Sequence, residues 1–156
     1  MVVFTMNSVL DFLHDHKISD TVLVLGQCPS TRNPRVREEI KKSGKIPTHG
    51  TYARLERWMD HVGLKEWDFH NVIPNKINSY DIKDVDEKKL KKAVKNKKII
   101  IALGGFVERV CKKYSISNYK IDHPSPRNRN LNSKEYEQNM LNELKDYLNN
   151  HAALIW

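Results

Sequence analysis

The chain of 156 residues is predicted to fold as one α/β domain, a three-layer α/β/α sandwich around a mostly parallel, four-stranded sheet. Three observations predict it. Short apolar runs rich in β-branched residues recur along the chain, and two of them, Thr21-Val22-Leu23-Val24-Leu25 and Ile99-Ile100-Ile101-Ala102-Leu103, are continuous enough to be buried on both faces. Each run ends in a turn marked by Gly, Pro or Asn. Amphipathic helical stretches fill most of the intervals, so strand and helix alternate. No repeat, low-complexity tract or linker interrupts the pattern.

Residues 7–16 are expected to open the fold as a helix, capped by Asn7 or Ser8 and apolar at Val9, Leu10, Phe12 and Leu13. The first strand, 21–25, runs into Gly26-Gln27-Cys28-Pro29-Ser30. Residues 32–45 are polar and basic, with a short helix over 36–42 that Gly44 ends. Residues 52–62 form an amphipathic helix with Leu55, Trp58, Met59 and Val62 on one side and Gly63 as its stop. A second strand over 68–73 enters Pro74-Asn75, and 76–86 is loop. A helix over 86–94 carries an i,i+4 pair, Glu87–Lys91.

The third strand, 98–103, stops at Gly104-Gly105, and a helix follows over 106–113. The fourth strand, 119–121, meets His123-Pro124-Ser125-Pro126-Arg127-Asn128. Proline fixes φ and cannot donate to a ladder, so the chain leaves the sheet here as a rigid loop. The last helix spans 133–149, with Glu135 and Glu137 in its first turn to complement the helix dipole.

Lys and Arg outnumber Asp and Glu by 27 to 19, for a net charge of +8. A field of that sign favours polyanionic partners such as nucleic acid, although the lysine-rich run over 83–98 also fits a solvated helix face. Two cysteines, Cys28 and Cys111, with no CxxC spacing, argue against a disulfide framework or a cysteine-rich zinc site. The first residues lack the basic start of a signal peptide, and no apolar run has the length of a membrane span. The expectation is a soluble, cytoplasmic, monomeric protein.

In a parallel α/β sheet, ligands bind outside the carboxyl ends of the strands. Gly26–Ser30, the turn after His70-Asn71-Val72, Gly104-Gly105 and the loop from His123 to Asn128 all lie at such ends. In order and content these four loops resemble the uracil-DNA glycosylase superfamily, over about residues 22–148. The HPSPRN loop is most similar to that of the single-strand-selective monofunctional branch.

The resemblance implies a monofunctional DNA glycosylase that flips a uracil-like pyrimidine out of single- or double-stranded DNA and hydrolyses its N-glycosidic bond. It implies no metal or organic cofactor. The iron–sulfur cluster of some relatives needs four cysteines, twice what this chain holds. By resemblance, Asn71 would read the pyrimidine edge through its amide, which offers both donor and acceptor. His123 would stabilise negative charge on the departing base. Arg127 would fill the gap left by the flipped nucleotide. Ser125, Ser30, Asn128, Arg129, Arg32 and Arg35 would meet the DNA backbone.

Two departures shape the expectation. Relatives carry Asp, Asn or Glu in the first loop to handle the attacking water, where this chain has Gln27 and Cys28. Gln27 can orient water by its amide, and leaving-group stabilisation by His123 can carry much of a dissociative reaction. A carboxylate from Asp68, Asp81, Asp84 or Asp122 is the alternative, and spacing does not choose among them. Where some relatives have a Tyr that walls off the pyrimidine C5 position, this chain has Ser30. The pocket is therefore expected to accept 5-substituted pyrimidines: hydroxymethyluracil, thymine, or a hypermodified phage base such as glucosylated hydroxymethylcytosine. The last would point to antiviral defence rather than base-excision repair. The family's ring-stacking Phe is absent from its place, with Tyr52 or His49 as substitutes and Phe69 and Phe106 assigned to the core. The competing reading is a DNA- or lesion-binding module of the same fold whose first loop has lost its chemistry.

Overall fold

A computed structural model describes residues 19, 21–28, 51–76, 79–125 and 128–155. Strands β1 (Val22–Gly26), β2 (Asp68–Asn71), β3 (Ile99–Leu103) and β4 (Tyr119–Ile121) form one sheet in the order β2-β1-β3-β4. Every pairing is parallel, with Gly26 opposite Asn71, Leu25 opposite Ala102 and Leu103 opposite Ile121. The helices are α1 (Thr51–His61), α2 (Glu87–Val94), α3 (Gly104–Lys113), α4 (Lys134–Asn150) and the short α5 (Ala152–Ile155). The fold class is the one expected.

All five residues of β1 and of β3 are buried, as their unbroken apolar runs require of strands covered on both faces. Strand alternation then divides them. Val22, Val24, Ile99, Ile101 and Leu103 join Leu55, Trp58 and Met59 of α1 and Leu141, Leu144 and Leu148 of α4. Leu23, Leu25, Ile100 and Ala102 join Leu90 of α2 and Val107, Val110 and Cys111 of α3. Burying each large aliphatic side chain contributes roughly 1.5–3 kcal/mol, so the two central strands form the rigid floor of the molecule. Burial also raises the Cys111 thiol to about 11, which keeps it protonated and inert.

Several boundaries shift for local reasons. Helix α2 starts at Glu87 because the Asp86 carboxylate caps it, accepting the Lys89 N–H at 2.9 Å. The Glu87–Lys91 pair forms at 2.8 Å. Ser133 caps α4 in the same way, accepting the Tyr136 N–H at 3.2 Å. Helix α3 begins at Gly104, two residues before the expected start, because Gly104 adopts φ +86° and turns the strand directly into the helix.

The expected strand over 68–73 stops at Asn71. Val72 and Ile73 nevertheless stay tied to the first strand, donating to the carbonyls of Gly26 (2.9 Å) and Gln27 (2.8 Å). Two 3-10 turns, Ile82–Asp84 and Arg129–Asn132, and helix α5 were not anticipated. The helices expected over 7–16 and 36–42 lie outside the described residues. Among the described residues, no helix is long and apolar enough to cross a membrane.

Candidate active site

Because all four strands are parallel, the segments after β1, β2, β3 and β4 leave the same edge of the sheet. The strand order makes the chain step to one side of β1 and then to the other. The switch point therefore lies between β1 and β3, the place where sheets of this kind open a crevice.

Asn71 and His123 belong to the two outer strands, β2 and the end of β4, yet each leans inward over a glycine. A Cβ at Gly26 would lie 2.7 Å from Asn71 Oδ1 and 2.6 Å from Phe69 Cζ. A Cβ at Gly104 would lie 3.1 Å from the His123 Cβ. The two missing side chains let an amide and an imidazole from the sheet's edges approach the central pair, whose backbones run ~5 Å apart. Residues that the sequence marked only as turn formers are thus part of how the site is built.

Asn71 is buried, 5% exposed, and no hydrogen bond engages its amide among the described residues. A strand-end Asn commonly satisfies turn backbone with its side chain; this one engages none of the described backbone. Its neighbour His70 points to the other face of the strand, toward α2. His70 Nε2 is buried without a partner, and burial lowers its pKa against the opposing pull of Asp86.

His123 is held in one tautomer. Its Nδ1 accepts the Ser125 N–H at 3.1 Å, so the neutral ring carries its proton on Nε2. Burial holds the ring's pKa below the usual 6.5, which keeps it neutral. Among the described residues nothing binds Nε2. The ring thus presents a neutral N–H donor that the loop fixes in place and that no described residue engages.

That loop has its own anchor. Asp122 accepts from Tyr136 Oη at 2.8 Å, Asn128 Nδ2 at 2.9 Å and Asn130 Nδ2 at 3.3 Å. Burial pushes this carboxyl's pKa up, but the three hydrogen bonds and the charge of Lys120 outweigh it and leave the group below its usual range. Asn128 also donates to the His123 carbonyl at 3.3 Å, and its Oδ1 accepts the Asn130 N–H. Asn128, expected to contact DNA, is therefore also a brace of the loop. Arg129 stands exposed on the 3-10 turn that follows.

The first loop is occupied differently. Gln27 Nε2 donates to the Ser79 carbonyl, and the Cys28 thiol lies 3.6 Å from the same oxygen. The Ser79 hydroxyl in turn donates to Asp84 Oδ2 at 2.7 Å, and Asp84 pairs with Lys76 at 3.0 Å. These contacts, the Ser79 hydrogen bond first, hold the Asp84 carboxyl below its usual range. Both residues expected to handle water therefore also brace the 79–86 segment, and Gln27 keeps its Oε1 for other partners.

The four alternative carboxylates are also accounted for. Asp68 starts β2, at the end of the sheet away from the crevice, where it binds Lys97 at 2.8 Å. Asp81 caps the 3-10 turn by accepting the Lys83 N–H. Asp84 and Asp122 serve the networks above. None of the four is an unengaged base.

Phe69, assigned to the core, is half-buried and packs against it, and its ring edge also reaches the same glycine as the Asn71 amide. The alternation of β2 could have shown this, since residues 69 and 71 share a face. Ser30, Arg32, Arg35, His49 and Arg127 lie outside the described residues, as does the side chain of Tyr52 on α1. Among the described residues, no three of His, Cys, Asp and Glu gather as a metal-ligand set.

Comparison with protein-family models, curated proteins and solved structures found no match. The described residues of the crevice offer a neutral imidazole donor, an amide that none of them engages and a ring edge, set where the parallel strands end.

Proposed function

We propose that this protein is a monofunctional DNA glycosylase of the uracil-DNA glycosylase kind, excising a uracil-like or 5-substituted pyrimidine from DNA by hydrolysis of the N-glycosidic bond. The observation that carries the reading is the state of His123. A neutral ring with a free Nε2–H suits a developing oxyanion on a departing pyrimidine, because the donor is already oriented and carries no charge to desolvate. As the bond to the sugar lengthens, the electron pair moves onto the base and its O2 gains negative charge. The hydrogen bond strengthens as that charge grows, so it favours the transition state over the bound substrate. The Asn71 amide, buried and engaged by none of the described residues, can match the donor and acceptor pattern of a pyrimidine edge. Water then adds to the sugar cation, and the proton it sheds passes through solvent to the departed base anion.

A second reading, a lesion-binding module of the same fold, is favoured by one observation. Gln27 and all four candidate carboxylates are used in bracing contacts, so none of these described residues stands ready as a general base. The glycosylase reading remains the better one, since a dissociative reaction asks more of the leaving-group donor than of the base.

The test is direct. Oligonucleotides containing uracil, hydroxymethyluracil, thymine or glucosylated hydroxymethylcytosine are incubated with the protein and scored for alkali-labile breaks. Breaks at one or more of these bases are expected. Tight, base-selective binding with no break at any of them would establish the module reading instead. Cleavage of plain uracil alone would remove the proposed tolerance of C5 substituents and its link to phage DNA.

A further inference from the structure

The positive charge of the described residues is not spread evenly over the molecule. Helices α2 and α3, which share one face of the sheet, carry seven Lys and Arg against Glu87 and Glu108. Helices α1 and α4, on the other face, carry four Lys and Arg against six Asp and Glu. Among the described residues, only Lys91 of the basic layer is held in an ion pair.

The basic layer meets the crevice at both of its helices. Helix α3 begins at Gly104, which packs on His123, and Arg109 folds back so that Nη1 lies 3.5 Å from a Cβ position at Gly105. Helix α2 follows the segment whose Ser79 holds Gln27. Next to Ser79 stands Tyr80, 71% exposed and the most exposed of the described large apolar side chains. Three carboxylates separate Tyr80 from the cations of α2, but Asp84 is paired with Lys76 and Ser79, and Asp81 and Asp86 cap helical turns. An aromatic ring left in water ahead of a basic helix pair can bind unpaired nucleic acid: bases stack on the ring and phosphates follow the cations.

We infer that a single DNA strand leaving the crevice passes over Tyr80, which stacks on one of its bases, and continues along the basic face of α2 and α3. This rests on the nucleic-acid part of the proposed function and adds the surface and the direction. The opposite layer, with its excess of carboxylates, would repel the same strand.

The test measures binding of an unmodified single strand of about 30 nucleotides across a range of salt, so that no base excision enters the readout. The variant Lys88→Glu/Lys92→Glu/Lys112→Glu is expected to bind at least ~10-fold more weakly and to lose about 2 from the salt slope, at ~0.7 per phosphate contact. Single Lys88→Gln, Lys92→Gln and Lys112→Gln variants give the same slope in steps if the triple variant folds poorly. Lys134→Glu/Lys145→Glu on α4 should change little. Tyr80→Ala should weaken binding ~5- to 100-fold with the slope unchanged, and Tyr80→Phe should restore it.

Equal losses in the α2/α3 and α4 variants would show a net-charge effect and overturn the inference, as would no loss in either. An unchanged affinity in Tyr80→Ala would overturn the stacking step. If no base is ever released but the slopes behave as described, the glycosylase reading fails and the DNA track stands. If bases are released while the slopes do not move, the track fails alone.

Discussion

The two halves of the crevice are built by the same device and finished differently. On the β3–β4 side, Gly104 admits His123, the Ser125 N–H sets its tautomer, and Asp122 gathers Tyr136, Asn128 and Asn130 behind the loop. On the β1–β2 side, Gly26 admits Asn71 and Phe69, but Gln27 and Cys28 turn away to the Ser79 carbonyl. One half holds an imidazole N–H donor whose Nε2 meets no described partner. The other holds a buried amide with no unengaged carboxylate beside it among the described residues. The difference teaches where catalytic power must come from if the protein is an enzyme: from stabilising what leaves rather than activating what arrives.

The largest expected effect breaks the comparison on the finished side. His123→Ala should slow base release ~10²- to 10³-fold in single-turnover assays, the scale of losing one preorganised donor, with DNA affinity largely kept. The pH dependence has a fixed sign. Burial depresses the pKa of His123, so the ring stays neutral from high pH down past its usual 6.5. Release should hold steady over that range and fall only at lower pH, where a proton on Nδ1 would oppose the Ser125 N–H. A fall beginning well above 6.5 would contradict the tautomer.

Next comes the device itself. Gly26→Ala puts a methyl group 2.6 Å from Phe69 Cζ and 2.7 Å from Asn71 Oδ1, distances at which something must move. Overpacking of this kind costs roughly 1–3 kcal/mol. The melting temperature should fall by several degrees, and selectivity among modified bases should drop as the Asn71 amide is displaced. Retained stability with unchanged selectivity would mean that the amide does not read the base.

A smaller effect is expected at Asp122→Asn. The variant loses a charged acceptor shared by three donors, on a half-exposed site where each such bond contributes about 1 kcal/mol or less. Release should slow several-fold while binding of undamaged DNA stays level. Because the folded protein depresses this carboxyl's pKa, its stabilisation is present above the usual 3.8 and is lost as pH falls from there through the depressed value. The Asn variant should lose that part of the acid dependence, which thermal melts between pH 5 and about 2.5 would detect.

How much of this was written in the sequence depends on the range of the interaction. The strands were legible because Val22–Gly26 and Ile99–Leu103 announce two-sided burial by composition alone. Helix starts at Asp86 and Ser133 follow from side chains acting within three residues. The roles of Gly26 and Gly104 were not legible, since each depends on a side chain from another strand, 45 residues onward for Asn71 and 19 for His123. The loop of Asp122 showed its prolines and histidine but not its hub, because Tyr136 and Asn130 reach it only after the chain has turned. Ser79 gave no signal at all: its carbonyl, not its side chain, holds the first loop.

The smallest effect tests the unfinished half. If Gln27 only braces the 79–86 segment, Gln27→Ala removes one hydrogen bond to a carbonyl and should cost ~0.5–1.5 kcal/mol of stability, with release changed less than about 3-fold. Gln27→Glu separates bracing from water handling. A carboxylate there would face the Ser79 carbonyl with no proton to share, so a bracing role predicts lower stability than Gln27→Ala and no gain in rate. A water-handling role predicts the reverse order in activity. Glu would outperform Gln, since a carboxylate is the stronger base, and Ala would fall well below both. The ranking of three rates against three melting temperatures therefore decides whether Gln27 only braces this half or also acts there as a weak base.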